Sequence, residues 1–303
     1  MTAKRAGVPL VHPGPRAPER IVSVPTGVSV LHAELPPGAG VADALWELTR
    51  DAGWRGASAE LAHGRFGTLR YVHPAPGVDG VRPATFSETV KPIAPNALLT
   101  GSATVGTREG RGFAHVHAAW IDAEGRLRGG HLLPETTVGD VPIQVTLRGL
   151  PSVTLVSETD PETTLPAFTP HPVAAGDGTG RRAVMSRVRP GVDLHDAVLT
   201  IAAEAGFSSA VVRASLGSLV GATLHRGPGR VGVVDWPATE VTTLVGTVRG
   251  AGSADAVAEL TASLVDVTGA LHTGVLVPGR NPVAVTFELY LEEADHVRTA
   301  HRS

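Results

Sequence analysis

Two segments of the chain carry apolar residues at helical spacing. In residues 35–54 (LPPGAGVADALWELTRDAGW) and 188–207 (VRPGVDLHDAVLTIAAEAGF), apolar positions recur every three or four residues. Both segments have a Pro-Gly pair near the start. Both also have a glycine near the end, Gly53 or Gly206, where a helix C-terminus favours the left-handed conformation. The pattern predicts one amphipathic helix in each segment.

Elsewhere the pattern changes to short alternating or β-branched runs bounded by turn residues, which is typical of strands. In the first half, strands are predicted at residues 21–34, 56–72, 98–105, 113–121, 126–133 and 143–147. One helix combined with many strands indicates an α+β fold with a mostly antiparallel sheet.

The two halves of the chain repeat one another. The second helical segment lies 153 residues after the first. Further on, IDAEG at residue 121 corresponds to VDVTG at 265, and GHLLP at 130 corresponds to GVLVP at 274. Two matches in the same order predict two tandem copies of one domain. The first copy has the longer centre, and its extra residues are expected in the Pro- and Gly-rich stretch between Val72 and Leu98.

The repeat divides the chain into five parts. Residues 1–19 are expected to form a flexible Pro-rich arm, 20–150 the first domain, and 182–293 the second domain. Residues 151–181, rich in proline and glycine, are expected to link the domains, and 294–303 to form a tail.

Composition narrows the class of protein. Apolar residues make up 42% and charged residues 18%, which is typical of a soluble globular chain, and cysteine is absent. We therefore expect no disulfides and no thiolate ligands. No apolar run approaches the roughly 20 residues needed to cross a bilayer, and the N-terminus lacks a signal-peptide core, so a cytoplasmic protein is expected. The net charge of −3 argues against specific DNA binding.

Three histidines form the sharpest chemical pattern in the first copy. His115 and His117 are two residues apart in a predicted strand and therefore share a face. The following DAEG sequence suits a type I turn with a glycine bulge, which would pair Asp122 with Arg126 and place His131 opposite His117. A two-residue loop would instead turn His131 to the other face. Metal binding and a merely polar surface are both consistent with the local pattern.

The second copy tests these alternatives. It has Glu259, Thr261 and Val275 at the three histidine positions but keeps the turn and the Gly-x-Leu-x-Pro strand. Because the scaffold does not require histidines, a specific role in the first copy is favoured. Three histidines and a water molecule suit a divalent metal. Zinc is the expected ion, because three imidazoles and water make a natural tetrahedral site for it. The second copy is expected to bind no metal.

The stretch 112–139, with His-x-His, Asp-x-x-Gly and GGHLLP, resembles the plants-and-prokaryotes conserved domain (PPC or PCC). The two Pro-Gly helix segments and residues 214–219 (ASLGSL) fit the same family. The resemblance implies an α+β domain with an antiparallel sheet, a homo-oligomer that is typically a trimer, and a metal site at His115, His117 and His131. In plants the domain accompanies AT-hook motifs, but no Arg-Gly-Arg-Pro core occurs here, so that DNA-binding role does not carry over.

Four weaker candidates for catalysis accompany the histidines. His63 and Arg65 lie where the family usually has a small Gly-Ser turn and could face the cluster, although surface decoration is the simpler interpretation. Glu60 could serve as an acid, base or anchor. Arg111, in a glycine-rich loop before the histidine strand, could contact an anionic ligand.

Three functions follow from these observations. The first is a metal-dependent protein acting on a small molecule, as a hydrolase or lyase if it is an enzyme, because three histidines leave an open coordination position. The second is a non-catalytic regulatory or scaffolding oligomer. The third, a DNA-associated protein, is disfavoured by the charge.

Overall fold

The structure is a computed structural model that describes residues 5–78, 80–174 and 181–294. It contains two helices among many strands. The elements are β1 (Ile21–Gly27), β2 (Ser29–Leu35), α1 (Val41–Asp51), β3 (Ala57–Ala62), β4 (Arg65–Phe66), β5 (Tyr71–Val72), β6 (Pro74–Pro76), β7 (Ala84–Phe86), β8 (Asn96–Arg108), β9 (Arg111–Ile121), β10 (Leu127–Leu132), β11 (Ile143–Gly149), β12 (Val153–Thr159), β13 (Pro166–Pro172), β14 (Arg182–Val188), α2 (Leu194–Glu204), β15 (Ser209–Leu219), β16 (Ala222–His225), β17 (Val231–Val234), β18 (Thr239–Arg249), β19 (Val257–Val265), β20 (Leu271–Leu276) and β21 (Val283–Glu293).

Both halves have the same sheet topology, which confirms the predicted duplication. The first sheet runs β2-β11-β3-β8-β9-β10-β5, and the second contains β14-β21-β15-β18-β19-β20-β16 in the corresponding order. The neighbours along these two paths pair antiparallel. The α+β class with mostly antiparallel sheets is therefore correct.

Each helix packs its apolar stripe on the sheet of its own half. Leu45 of α1 and Val198 of α2 are completely buried in two separate cores. Asp193 caps α2 by accepting the N–H of His195 at 3.0 Å, whereas Gly40 at the start of α1 offers no side-chain cap. Both helices span 11 residues, and no helix in the described ranges is long and apolar enough to span a bilayer.

The N-terminal strand does not join the first sheet. The sequence predicts a single strand at 21–34 within the first domain, but the chain changes sheets at the buried Val28. β1 pairs along its whole length with β14 and forms the edge of the second sheet, while β2 pairs with β11 in the first. Alternation of apolar and polar residues indicates a strand but not which strand it pairs with. The pairing of β1 with the second sheet could therefore be seen only in the tertiary structure.

The arm preceding β1 is packed against the second half over its described residues. The His12 Nε2 lies 2.8 Å from the carbonyl oxygen of Ala284, and Gly7 donates its N–H to Val220. Arg20 forms an ion pair of 2.6 Å with the buried Glu162. The expectation of a flexible arm at 1–19 thus differs from the structure, in which ion pairing and backbone hydrogen bonds hold residues 5–19 in place.

Residues 151–174 of the expected linker form a hairpin rather than an open connection. β12 and β13 pair antiparallel, and β12 also makes a short parallel contact with β8. Val153, Leu155 and Phe168 provide the reason, because all three are buried between the two halves. The glycine-rich run at 175–180 and the tail beyond residue 294 lie outside the described residues.

The two domains pack through different faces. β9 and β10 of the first domain contact β18 of the second. Equivalent positions of the repeat meet at one point, where the Oγ1 atoms of Thr100 and Thr243 lie 3.2 Å apart, but the strands in contact around it differ between the two domains. The corresponding face of the second domain stays open: Glu259 on β19 has a side chain 66% exposed. This heterologous contact buries one outer sheet face, that of the first domain.

Candidate metal centre

The hairpin between β9 and β10 has the predicted turn. Asp122 donates its N–H to Arg126 O at 3.0 Å, and Gly125 donates to Asp122 O at 3.0 Å. Gly125 has a φ of 75°, the left-handed conformation that the bulge requires. The resulting register pairs His131 directly with His117. The predicted convergence of three histidines on one face is confirmed.

The three imidazoles converge closely enough to share one ion. The His115 Nε2 lies 3.0 Å from the His117 Nε2, which lies 3.3 Å from the His131 Nδ1. All three atoms lie within 4.8 Å of one another. A tetrahedral zinc with bonds of about 2.0–2.1 Å requires ligand separations of roughly 3.3 Å. Two of the three separations already approach that value, so the cluster could hold a metal ion.

The outer nitrogens of two histidines are held by the second domain. The His115 Nδ1 lies 2.9 and 3.0 Å from the two carboxylate oxygens of Glu288, and the His117 Nδ1 lies 2.9 Å from the carbonyl oxygen of Val241. Both partners accept hydrogen bonds, so each Nδ1 carries the proton and each Nε2 lone pair points into the cluster. Carboxylate and carbonyl partners of this kind orient metal-binding histidines.

Burial lowers the pKa of two of the three histidines, His117 and His131. Desolvation lowers the pKa of His117 well below its usual value of 6.5, and the neighbouring His115 and His131 lower it further, outweighing the Val241 hydrogen bond. Desolvation and His115 likewise lower the pKa of His131. Since a protonated imidazole cannot bind a cation, the fold presents these two ligands in the competent form.

Glu240 of β18 is a second carboxylate of the second domain that lies beside the cluster. Its Oε1 lies 3.7 Å from the His117 Nε2, and the side chain is 5% exposed. Its Oε2 is buried and has no hydrogen-bond partner among the described residues. Burial raises the pKa of Glu240 to about 8, and a cation at the histidines would favour the charged carboxylate.

A cavity of about 140 Å³ opens onto the histidines from between the domains. The first domain contributes β8, β9 and β10, and the second contributes β15, β18 and β21. The hairpin β6–β7, which lies within the Pro- and Gly-rich insert of the first copy, forms a further wall. Phe86 of that hairpin packs against His131 with ring centroids 5.3 Å apart.

The weaker catalytic candidates of the first domain lie elsewhere. Glu60 is paired with Arg148 at 2.6 Å, and Arg65 with Asp140 at 3.2 Å. Glu60 and His63 line a second cavity rather than the one that holds the histidines. Arg111 is exposed and does not line the histidine cavity, whereas Arg108, its partner across the hairpin, does.

The reason for this misplacement is the heterologous packing. The turn that carries His63 and Arg65 in the first copy corresponds to Gly217 and Ser218 of β15 in the second, and it is this part of β15 that lines the histidine cavity. Sequence reasoning chose the right element in the wrong copy. It also missed Glu240 and Glu288. The repeat aligns them with the uncharged Ala97 and Gln144, and this added charge in the second copy was the available signal.

The second copy lacks both the ligands and the enclosure. Val275 is 42% exposed, and Glu259 pairs with Arg249 at 3.6 Å on an open surface. Along β19 the outward residues are exposed or half-buried, whereas both faces of the middle of β9 are covered. Without a covering domain, no comparable cavity forms at these positions.

The stability of the metal-free protein is expected to peak near pH 6.5. From pH 8 to 6.5, stability rises as pH falls, because Glu240 with its raised pKa takes up a proton only in the folded state. Below 6.5 the unfolded chain protonates His117 and His131 while the folded chain does not, so stability falls again, by about 1.4 kcal/mol per pH unit for each histidine. Desolvation lowers the pKa of the more distant His12 and His195 as well, adding to that decline.

Urea unfolding of the chelator-treated chain from pH 5 to 8.5 measures this profile. Glu240→Gln should remove the decline above pH 6.5, whereas Glu124→Gln, a substitution on an exposed turn, should leave it in place. A wild-type stability that keeps increasing to pH 8 would contradict the raised pKa of Glu240.

Comparison with known proteins places the second domain in a family. The sequence model of the Plants and Prokaryotes Conserved (PCC) domain matches residues 175–295. No curated protein sequence matches the chain significantly.

Several solved structures resemble half of the chain. A hypothetical protein from Salmonella enterica is 18% identical with a TM-score of 0.39, covering 49% of this chain and 97% of that protein. A plant- and prokaryote-conserved protein from Pyrococcus horikoshii is 14% identical with a TM-score of 0.36, covering 46% and 89%. A metal-containing protein from Archaeoglobus fulgidus is 17% identical with a TM-score of 0.39, covering 47% and 94%. The matched residues 175–295 contain the second of two domains that share one strand order, so the similarity to the PCC domain is shown for that second domain.

Proposed function

We propose that His115, His117 and His131 bind one divalent metal ion, zinc, and that this ion and Glu240 form a reactive site for a small molecule at the inner end of the cavity. The observation that carries the proposal is the pair of nitrogen separations, 3.0 and 3.3 Å. These separations approach the distance between two ligands of a tetrahedral zinc ion. Hydrogen-bond partners from the second domain also fix the orientation of two of the imidazole rings.

The donor set favours zinc over harder cations. Three neutral imidazoles suit zinc, copper, nickel or iron, whereas magnesium and calcium prefer oxygen ligands. Zinc fits best because three histidines and one exchangeable position make its common catalytic geometry. Bound there, zinc supplies Lewis acidity to an oxygen in the cavity.

The surrounding residues suit proton transfer. The Glu240 Oε2 has no hydrogen-bond partner among the described residues and lies beside the cluster, where it could accept a proton from a water or hydroxyl group in the cavity. Glu288 holds the His115 ring in place from the opposite side. The apolar walls limit water to the inner end of the cavity. Hydrolysis or lyase chemistry on a small molecule is the reaction class that this arrangement supports.

A non-catalytic role is the second candidate, and it too rests on Glu240. The 3.7 Å separation between the Glu240 Oε1 and the His117 Nε2 is short enough for a small movement to make the carboxylate a fourth ligand. The ion would then tie the two domains together and leave no open position. Such a closed site would serve a regulatory or scaffolding oligomer.

Cobalt substitution separates the two roles. The full chain is freed of metal with a chelator and titrated with Co²⁺, whose visible spectrum reports its ligands, and azide is then added. We expect one cobalt per chain and a spectral change with azide in both the wild type and Glu240→Gln, because a small anion enters the open position.

If azide changes the spectrum of Glu240→Gln but not that of the wild type, Glu240 is the fourth ligand. The site is then the closed one that links the two domains, not a reactive site. Absence of stoichiometric cobalt or zinc binding by the wild type would overturn the metal assignment itself.

A further inference from the structure

The cavity extends along one face of the β8–β9 hairpin away from the histidines. His117, His115 and Phe113 alternate on β9 and share that face. Phe113 lies across from Gly106 of β8, and Arg108 lies two residues further along the same strand. His117 and Phe113 are separated by about 13 Å along the strand, from four residues of roughly 3.3 Å each. The histidines and Arg108 therefore line opposite ends of the cavity.

Arg108 is a cation that has no partner of opposite charge in the part of the chain that the structure describes. Its guanidinium carbon lies 5.6 Å from the centre of the Phe113 ring, and the residue is half-buried. No carboxylate lies within ion-pair distance of it among the described residues. A guanidinium that is stacked on an aromatic ring and directed along an apolar cavity is well suited to bind a carboxylate through two parallel hydrogen bonds.

The walls between the two ends are apolar and aromatic. Phe113 and Phe168 stack with ring centroids 5.7 Å apart, and Phe86 lies on the histidine side. Leu165, Ala167 and Val285 complete this part of the lining. The volume of about 140 Å³ is close to that of an engineered cavity of roughly 150 Å³ that holds benzene. The space therefore fits an apolar body of about the size of one six-membered ring.

The inner end lacks hydrogen-bond partners that a ligand would supply. The Glu240 Oε2 and the Thr286 Oγ1 are buried, line the cavity and have no partner among the described residues. Both residues are more than nine-tenths buried. Buried polar atoms in folded proteins are nearly always hydrogen-bonded, so these two indicate a polar group at this end.

We propose that the cavity binds a small organic acid, with its carboxylate on Arg108, a ring-sized apolar body between Phe113 and the histidines, and a polar group beside Glu240 and Thr286. The orientation rests on the metal site proposed above, since the polar end of the acid is the end that meets the ion. The second domain supplies part of this site, which explains why the cavity, whose histidines belong to the first domain, is also lined by Gly217, Ser218, Ala238, Glu240, Val285, Thr286 and Glu288.

Binding of benzoate to the full chain tests the proposal, with benzamide as the uncharged analogue. Calorimetry is performed on zinc-loaded and zinc-free protein. We expect benzoate to bind at millimolar concentration or below, and more tightly than benzamide. Arg108→Gln should raise the Kd for benzoate by about 10- to 100-fold, the usual effect of losing a hydrogen bond to a charged group. Arg111→Gln, the matched change on the other side of the same hairpin, should leave the Kd unchanged.

The outcomes separate this inference from the metal site. If the wild type and Arg108→Gln bind benzoate equally, or the wild type does not bind it at millimolar concentration, the ligand class is overturned while stoichiometric zinc still supports the metal site. If zinc does not bind but benzoate binding still depends on Arg108, the result supports the organic-acid site and contradicts the metal site. Thermal unfolding of Arg108→Gln, expected at the wild-type temperature, checks that the substitution acts on the ligand.

Discussion

Replacing His117 with alanine is expected to reduce bound zinc from one ion per chain to background. His117 is the central ligand, because its Nε2 is within 3.3 Å of a nitrogen of both other histidines. Removing a residue that merely supports a ligand typically weakens metal affinity by 10- to 100-fold, so removing the central ligand should weaken it by more than about 100-fold. Elemental analysis after dialysis against zinc measures the result.

His63→Ala is the matched control. His63 is exposed and lines a different cavity, so this substitution should keep one zinc per chain. Far-UV circular dichroism identifies any variant that fails to fold. Equal zinc content in His117→Ala and the wild type would show that the ion binds elsewhere.

Replacing Asp160 with asparagine is expected to destabilise the protein by about 3–5 kcal/mol, the usual result of removing one partner from a buried ion pair. The Asp160 Oδ2 lies 2.6 Å from a nitrogen of both Arg187 and Arg189, and the carboxylate is completely buried. Burial raises the pKa of Asp160, but the hydrogen bond from the Thr163 N–H and the two arginines outweigh it and hold the pKa at about 2. Asparagine keeps the shape yet leaves the buried Arg187 uncompensated.

The effect should appear in urea unfolding at pH 7 and should persist in the metal-free protein, since Asp160 lies outside the histidine cavity. Asp51→Asn provides the comparison: its ion pair with Arg50 is more than half exposed on both sides and is worth about 1 kcal/mol or less. A loss at Asp160 no greater than that at Asp51 would contradict a structural role for the buried cluster.

Local patterns were sufficient to predict the units from which the protein is built. Both helices follow from apolar spacing, and their C-terminal glycines have the expected positive φ. The register that brings His117 opposite His131 follows from turn chemistry, because glycine in a left-handed conformation at residue 125 determines how the two strands align. The duplication was predictable because both copies retain the residues that the fold requires.

Long-range pairing was not predictable from those patterns. The strand at residues 21–27 has the same alternating pattern whichever sheet it joins. The hairpin at 153–172 contains several prolines, and these favoured its interpretation as a linker. Both of these segments lie at the contact between the two halves. Their positions depend on surfaces that exist only once the two domains have folded.

Local sequence patterns establish that the chain consists of two related α+β domains and that three histidines of the first converge on one face. Periodicity and turn chemistry are local properties, because each depends only on residues that are close together in the sequence. The surroundings of the histidines depend on long-range packing, which places around them Glu240 and Glu288 of the second domain, the hairpin carrying Phe86, and Arg108 rather than Arg111 at the far end. The physical reason is the heterologous packing of the two domains, which covers the outer sheet face of one copy and leaves that of the other exposed to solvent.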